Sequence, residues 1–80
     1  MTEEEGGGLI KRSLTIKGRR TSIALEQQFW DELWRLAQLR GKSVPGLIAE
    51  IEQRRAAETP DASLASSLRV FALLHRTPRP

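Results

Sequence analysis

The chain has 80 residues, 13 Lys and Arg against 10 Asp and Glu, no cysteine and a single histidine. That length allows one small domain, and without thiols neither disulfides nor a thiolate zinc site can staple it. Oligomerisation is the staple that remains for so small a core, so at least a dimer is expected. One histidine and no tyrosine leave few groups titrating near neutrality, which argues against an enzyme. No cofactor, catalytic residue or metal ligand is expected. No apolar run approaches the roughly 18 to 20 residues needed to cross a bilayer. A soluble, cytoplasmic protein without a membrane partner is expected.

In chain order, residues 1–8 form an acidic, glycine-rich head: Glu3, Glu4 and Glu5, then Gly6, Gly7 and Gly8. Composition of this kind predicts disorder. The next stretch is basic. Lys11, Arg12, Lys17, Arg19 and Arg20 put five positive charges and no acid into ten residues. Such a block attracts polyanions, of which nucleic acid is the commonest.

Residues 9–25 read as extended. Thr21, Ile23 and Leu25 share one strand face, and Arg20, Ser22 and Ala24 share the other. Upstream, Leu14 and Ile16 alternate with Ser13, Thr15 and Lys17, so the apolar parity switches across Gly18. One regular strand cannot switch parity and keep one face buried, which makes Gly18 a bulge or turn between two pieces. The pattern leaves three possibilities for 10–17: an extension of the ribbon, a hairpin with 20–25, or a loose segment.

From residue 27 to 40 the period becomes helical, with Phe29, Leu33, Leu36 and Ala37 on one stripe and Trp30 and Trp34 beside it. Gly41 stops this helix. Ser43 caps a second helix over 44–57, with Pro45 in its first turn and Val44, Leu47, Ile48 and Ile51 on its apolar face. Glu58 to Asp61 is a break. A third helix over 61–75 carries Leu64, Leu68 and Phe71 on one stripe, with Val70, Leu73 and Leu74 beside it. Residues 76–80 form a frayed tail.

A short strand, a helix, the Gly41-Lys42-Ser43 turn and a serine-capped helix together resemble the ribbon-helix-helix DNA-binding family. The match runs from Arg20 through Ile51. The flanking Lys11 to Ile16 and Leu64 to Leu74 resemble an extended bacterial branch of it. The implied fold is mainly α with a short β-strand: an intertwined homodimer whose two strands, one per subunit, pair into an antiparallel ribbon, plus a C-terminal third helix. The implied function is a dimeric, sequence-specific transcriptional regulator, a repressor, that lays the ribbon in the major groove of double-stranded DNA. Nucleoid association goes with that function, and the sequence leaves open whether two dimers pair along DNA.

The resemblance also distributes roles. Arg20, Ser22 and Ala24 would contact bases, although alanine stands where family members often carry a polar residue. Lys17, Arg19, Lys42, Ser43 and Val44 would contact phosphates, the last three at a helix N-terminus. Ile23, Leu25, Phe29, Trp30, Leu33, Ile48 and Ile51 would form the dimer core. Trp34 and Leu39 face outward in such a dimer, and an exposed tryptophan calls for a partner. The expectation is that the third helix folds back over them through Leu64, Leu68 and Phe71. A competing function is an antitoxin-like or adaptor dimer that binds a protein partner through its C-terminal helix.

Overall fold

The computed structural model of the protein describes residues 8–76. The acidic head, apart from Gly8, and the end of the chain beyond Arg76 lie outside the described residues. Two strands, β1 (Leu9–Ile16) and β2 (Arg19–Glu26), precede three helices: α1 (Gln27–Leu39), α2 (Val44–Glu58) and α3 (Leu64–Leu74).

β1 and β2 form an antiparallel hairpin within one chain, with Ile16 opposite Arg19, Ser13 opposite Ser22 and Leu9 opposite Glu26. This register explains the parity switch. Paired positions always join an even number to an odd one, so Leu14 and Ile16 share a face with Thr21, Ile23 and Leu25. The loop is Lys17-Gly18, both at positive φ (53° and 78°). Two successive positive φ angles are what the tight two-residue hairpin turn demands, because its twist then matches that of the strands. A β-branched side chain at Gly18 would be strained there although nothing crowds the position. Gly18→Val is therefore expected to lower stability by about 1–2 kcal/mol, readable as a lower urea midpoint.

The ribbon thus differs from the implied one in its partners: both strands belong to the same chain. Local connection explains this. A two-residue loop brings β1 beside β2 at almost no closure cost, whereas pairing between chains must first bring two molecules together.

The helices cover the inner face of the hairpin, α2 lying against β1 and α3 against β2. The core joins Ile16, Ile23 and Leu25 of the ribbon to Trp30, Leu33, Leu36, Leu47, Ile48, Ile51 and Leu68. Of the residues assigned to a dimer core, all but the half-buried Phe29 are buried inside a single chain. A strand and two helices could not bury them. β1 and α3 supply the missing cover through Ile16, Leu68 and Ala72.

The helix boundaries follow local chemistry. At the end of α1, Gly41 takes φ +66°. Its N–H donates to the Gln38 carbonyl at 3.1 Å, and the Lys42 N–H donates to the Ala37 carbonyl at 2.9 Å. These are the paired bonds of a Schellman stop, which satisfy the last carbonyls of the helix. Ser43 and Ser63 each cap the following helix, accepting from the Gly46 and Ser66 N–H groups at 3.0 Å. α3 begins only at Leu64, because Pro60 and the Ser63 cap hold the chain non-helical before it.

One expected contact is absent. α3 returns to the core through Leu68 and Ala72, with Leu64, Ala65 and Phe71 packed alongside. Yet Trp34 and Leu39 remain 58% and 66% exposed. α3 meets α1 instead where Arg69 lies over the Phe29 ring and Arg40 over the Phe71 ring, at 5.8 and 5.2 Å from the ring centroids.

Candidate nucleic-acid interface

The register fixes which side chains leave the core. The outward face of the hairpin carries Lys11, Ser13 and Thr15 from β1 and Arg20, Ser22 and Ala24 from β2. All are exposed except the half-buried Ala24. Opposite pairs are Lys11–Ala24, Ser13–Ser22 and Thr15–Arg20. The surface is small, polar and positive, and it contains no acid between its ends. Glu26, at the far end of β2, is engaged by Arg69 of α3, whose Nε donates to its carboxylate at 3.0 Å.

Arg20 is not loose on this face. Its Nη1 donates to Thr15 Oγ1 across the ribbon at 3.2 Å. A guanidinium held by one donor keeps its remaining donors for an acceptor beyond the protein. Lys17 sits at the tip of the turn, and its charge helps lower the pKa of Glu52 in α2. Arg19 belongs to the inner face by parity, at the open end beside the turn, and is exposed. Both cations lie at the turn end of the ribbon.

The second proposed phosphate site lies on a different element. Around the N-terminus of α2, the Gly46 N–H is taken by Ser43 Oγ and the Leu47 N–H by the Ser43 carbonyl. Pro45 has no N–H. Val44 has the amide left to offer. Lys42 is ion-paired to Glu50 at 2.7 Å, so an anion there would compete with a carboxylate. The ribbon therefore concentrates the available donors better than this helix end does.

Lys11 and Arg12, adjacent in sequence, go to opposite faces. Lys11 points outward. Arg12 turns inward over the Trp30 ring, with its guanidinium carbon 5.5 Å from the ring centroid. Trp30 is 5% exposed, and its indole Nε1 donates to the Ile10 carbonyl at 2.9 Å. This bond ties β1 to α1. Helical spacing marks Trp30 as apolar but gives no sign of the strand carbonyl that meets it. Glu32, buried on the same helix with Arg35 Nε at 3.9 Å, was equally unmarked in the apolar pattern.

Two carboxylates brace the scaffold. Glu26 is held below the ordinary value of 4.5, first by a backbone hydrogen bond at Glu26 itself and then by Arg69. Glu52 is lowered mainly by its hydrogen bonds with Arg55, which also donates to the Pro60 and Ala62 carbonyls before α3. A carboxyl whose pKa falls on folding stabilises the fold fully above its unfolded pKa and loses that contribution as the pH drops through the folded value. The thermal midpoint is thus expected to fall between about pH 5 and pH 3, and less steeply in the Glu26→Gln/Glu52→Gln variant.

Among the described residues, no group of three or more His, Cys, Asp and Glu is placed to hold a metal ion. No helix there is long and apolar enough to cross a membrane.

No curated protein and no solved structure matches the chain. A family model for the ribbon-helix-helix domain does, over residues 9–76. That family is generally one of DNA-binding regulators and antitoxins, its fold is a non-enzymatic one, and its members typically form dimers. Because the match takes in the hairpin and all three helices, the chain belongs to the ribbon-helix-helix domain family.

Proposed function

We propose that the protein is a homodimeric, sequence-specific DNA-binding transcriptional regulator, acting as a repressor in the cytoplasm on the nucleoid. The single observation that carries this reading is the outward ribbon face. It presents Arg20, Lys11 and three hydroxyls in a strip free of acids, backed by a rigid core. The major groove admits a two-stranded ribbon and displays edge patterns that distinguish all four base pairs. Arg20 and Ser22 contact bases, with Ala24 limited to a thymine methyl. Lys17 and Arg19 contact phosphates beside the turn, with Ser43, Val44 and Lys42 a second and weaker phosphate site. Homodimerisation fits the family, whose members typically form dimers.

Titration of a mixed-sequence duplex across a salt series tests this reading. Binding should weaken with salt, with a logarithmic slope of about −0.9 for each phosphate neutralised. Lys17→Gln should make that slope shallower by about one contact. Binding that is absent, or unchanged by both Lys17→Gln and Arg20→Gln, contradicts it.

A second reading has its own observation. α2 and α3 frame an open groove of about 340 Å³ lined by Leu47, Ile51, Phe71 and Leu74 among others. Val70, Leu73 and Leu74 of α3 are 51–76% exposed. This apolar surface fits an antitoxin-like or adaptor role in which the C-terminal helix meets a protein partner. Leu73→Glu should then abolish partner binding and leave DNA binding intact.

A further inference from the structure

A ribbon built from two chains is two-fold symmetric, so it offers the same residues twice. The hairpin of this chain is not symmetric. β1 contributes Lys11, Ser13 and Thr15, and β2 contributes Arg20, Ser22 and Ala24. The two strands differ most where β2 is weakest for recognition: Lys11 stands directly opposite Ala24. At the other end Thr15 holds Arg20 by the 3.2 Å hydrogen bond.

Size points the same way. Adjacent strands lie about 4.8 Å apart, so pairing two hairpins edge to edge would set the outer backbones about 14 Å apart before side chains are added. The major groove is about 12 Å wide. A single hairpin fits it and a four-stranded sheet does not.

From this we infer that one chain is a complete reading element, and that its hairpin recognises a non-palindromic DNA segment with both strands. Lys11 of β1 is a specificity-determining residue that replaces the contact Ala24 cannot make. Thr15 is a positioning residue for Arg20. Any two-fold symmetry of the full site relates two separate hairpins rather than the two strands of one ribbon. Ala24, opposite Lys11, lies four residues beyond Arg20, or about 13 Å along the ribbon, which corresponds to roughly four base pairs. The inference rests on the DNA-binding reading above.

Two experiments on the full chain test it. The chain lacks cysteine, so Ser13→Cys/Ser22→Cys adds one thiol to each of two directly opposed positions. After mild oxidation, non-reducing electrophoresis should show a monomer with an internal disulfide, and a covalent dimer overturns the single-chain ribbon. The second experiment selects duplexes from a random pool with the wild type, Lys11→Ala, Arg20→Ala, Thr15→Val and Thr15→Ser. The wild type should enrich a half-site without internal symmetry. Lys11→Ala and Arg20→Ala should each reduce discrimination roughly tenfold, at different base pairs about four apart. Thr15→Val should relax the base that Arg20→Ala relaxes, and Thr15→Ser should restore it. A palindrome centred within one ribbon, with Lys11→Ala weakening all sequences equally, overturns the inference and leaves DNA reading intact. A wild type that enriches no sequence fails the DNA reading itself, and the inference with it.

Discussion

Replacing Trp30 by alanine is expected to cost about 3–5 kcal/mol, the range for deleting a large aromatic side chain from a core. Three losses coincide at this position. The 5% exposed indole leaves a cavity among the helices. The Ile10 carbonyl loses the Nε1–H donor that meets it at 2.9 Å. Arg12 loses the ring beneath its guanidinium. Since a domain of this size holds only about 5–15 kcal/mol in total, the variant should be largely unfolded at moderate temperature. Trp30→Phe separates the contributions. It keeps most of the packing and removes the donor, and a loss of about 1–2 kcal/mol is expected. Urea unfolding followed by far-ultraviolet circular dichroism reads both. A Trp30→Ala midpoint equal to that of the wild type would mean that β1 is not fastened to α1 in the way described.

The second large effect concerns recognition. On the proposed reading, Arg20→Ala weakens binding to the preferred site by about 1–3 kcal/mol, which is about 5- to 150-fold. The loss should concentrate at one base pair of the half-site, because a bidentate arginine discriminates guanine through two acceptors on one edge. Stability should stay near that of the wild type, since Arg20 is exposed and its side chain is tied to the fold by a single 3.2 Å hydrogen bond to Thr15. Competition binding against single-base variants of the selected site measures the effect. An equal loss at every position would place Arg20 on a phosphate instead of a base.

Much of this arrangement was legible in the sequence, for physical reasons specific to certain residues. The change of apolar parity across Gly18 demanded a bulge or a turn, and the register resolves it as a turn with an even position facing an odd one throughout. Gly41 and Ser43 announced a helix stop and a helix start, and both form the bonds their chemistry favours. The alternation from Arg20 to Leu25 separated an outward set from an inward one, and burial follows it.

What stayed hidden is equally specific. A strand's edge can be satisfied by its own chain or by another, so alternation does not tell which molecule supplies the partner. Helical spacing groups Trp30 with Trp34, but only the placement of β1 and α3 decides that one is buried and the other exposed. Lys11 and Arg12 read as a single basic block. The pleat sends one to the outward face and the other onto a tryptophan ring. β1 and α3 enlarge the core beyond a strand and two helices, which chain length alone does not reveal.

The measurement that tests the central claim most directly is a titration of isotopically labelled protein with duplex DNA carrying the selected site, followed by amide chemical shifts. The account predicts that the largest changes fall on the outward residues Lys11, Ser13, Thr15, Arg20, Ser22 and Ala24, with smaller ones at Lys17 and Arg19. The inward positions Ile23 and Leu25 should move only as much as their strand neighbours require. Changes confined to the α2–α3 groove around Val70, Phe71 and Leu74, or no changes at all, would contradict it.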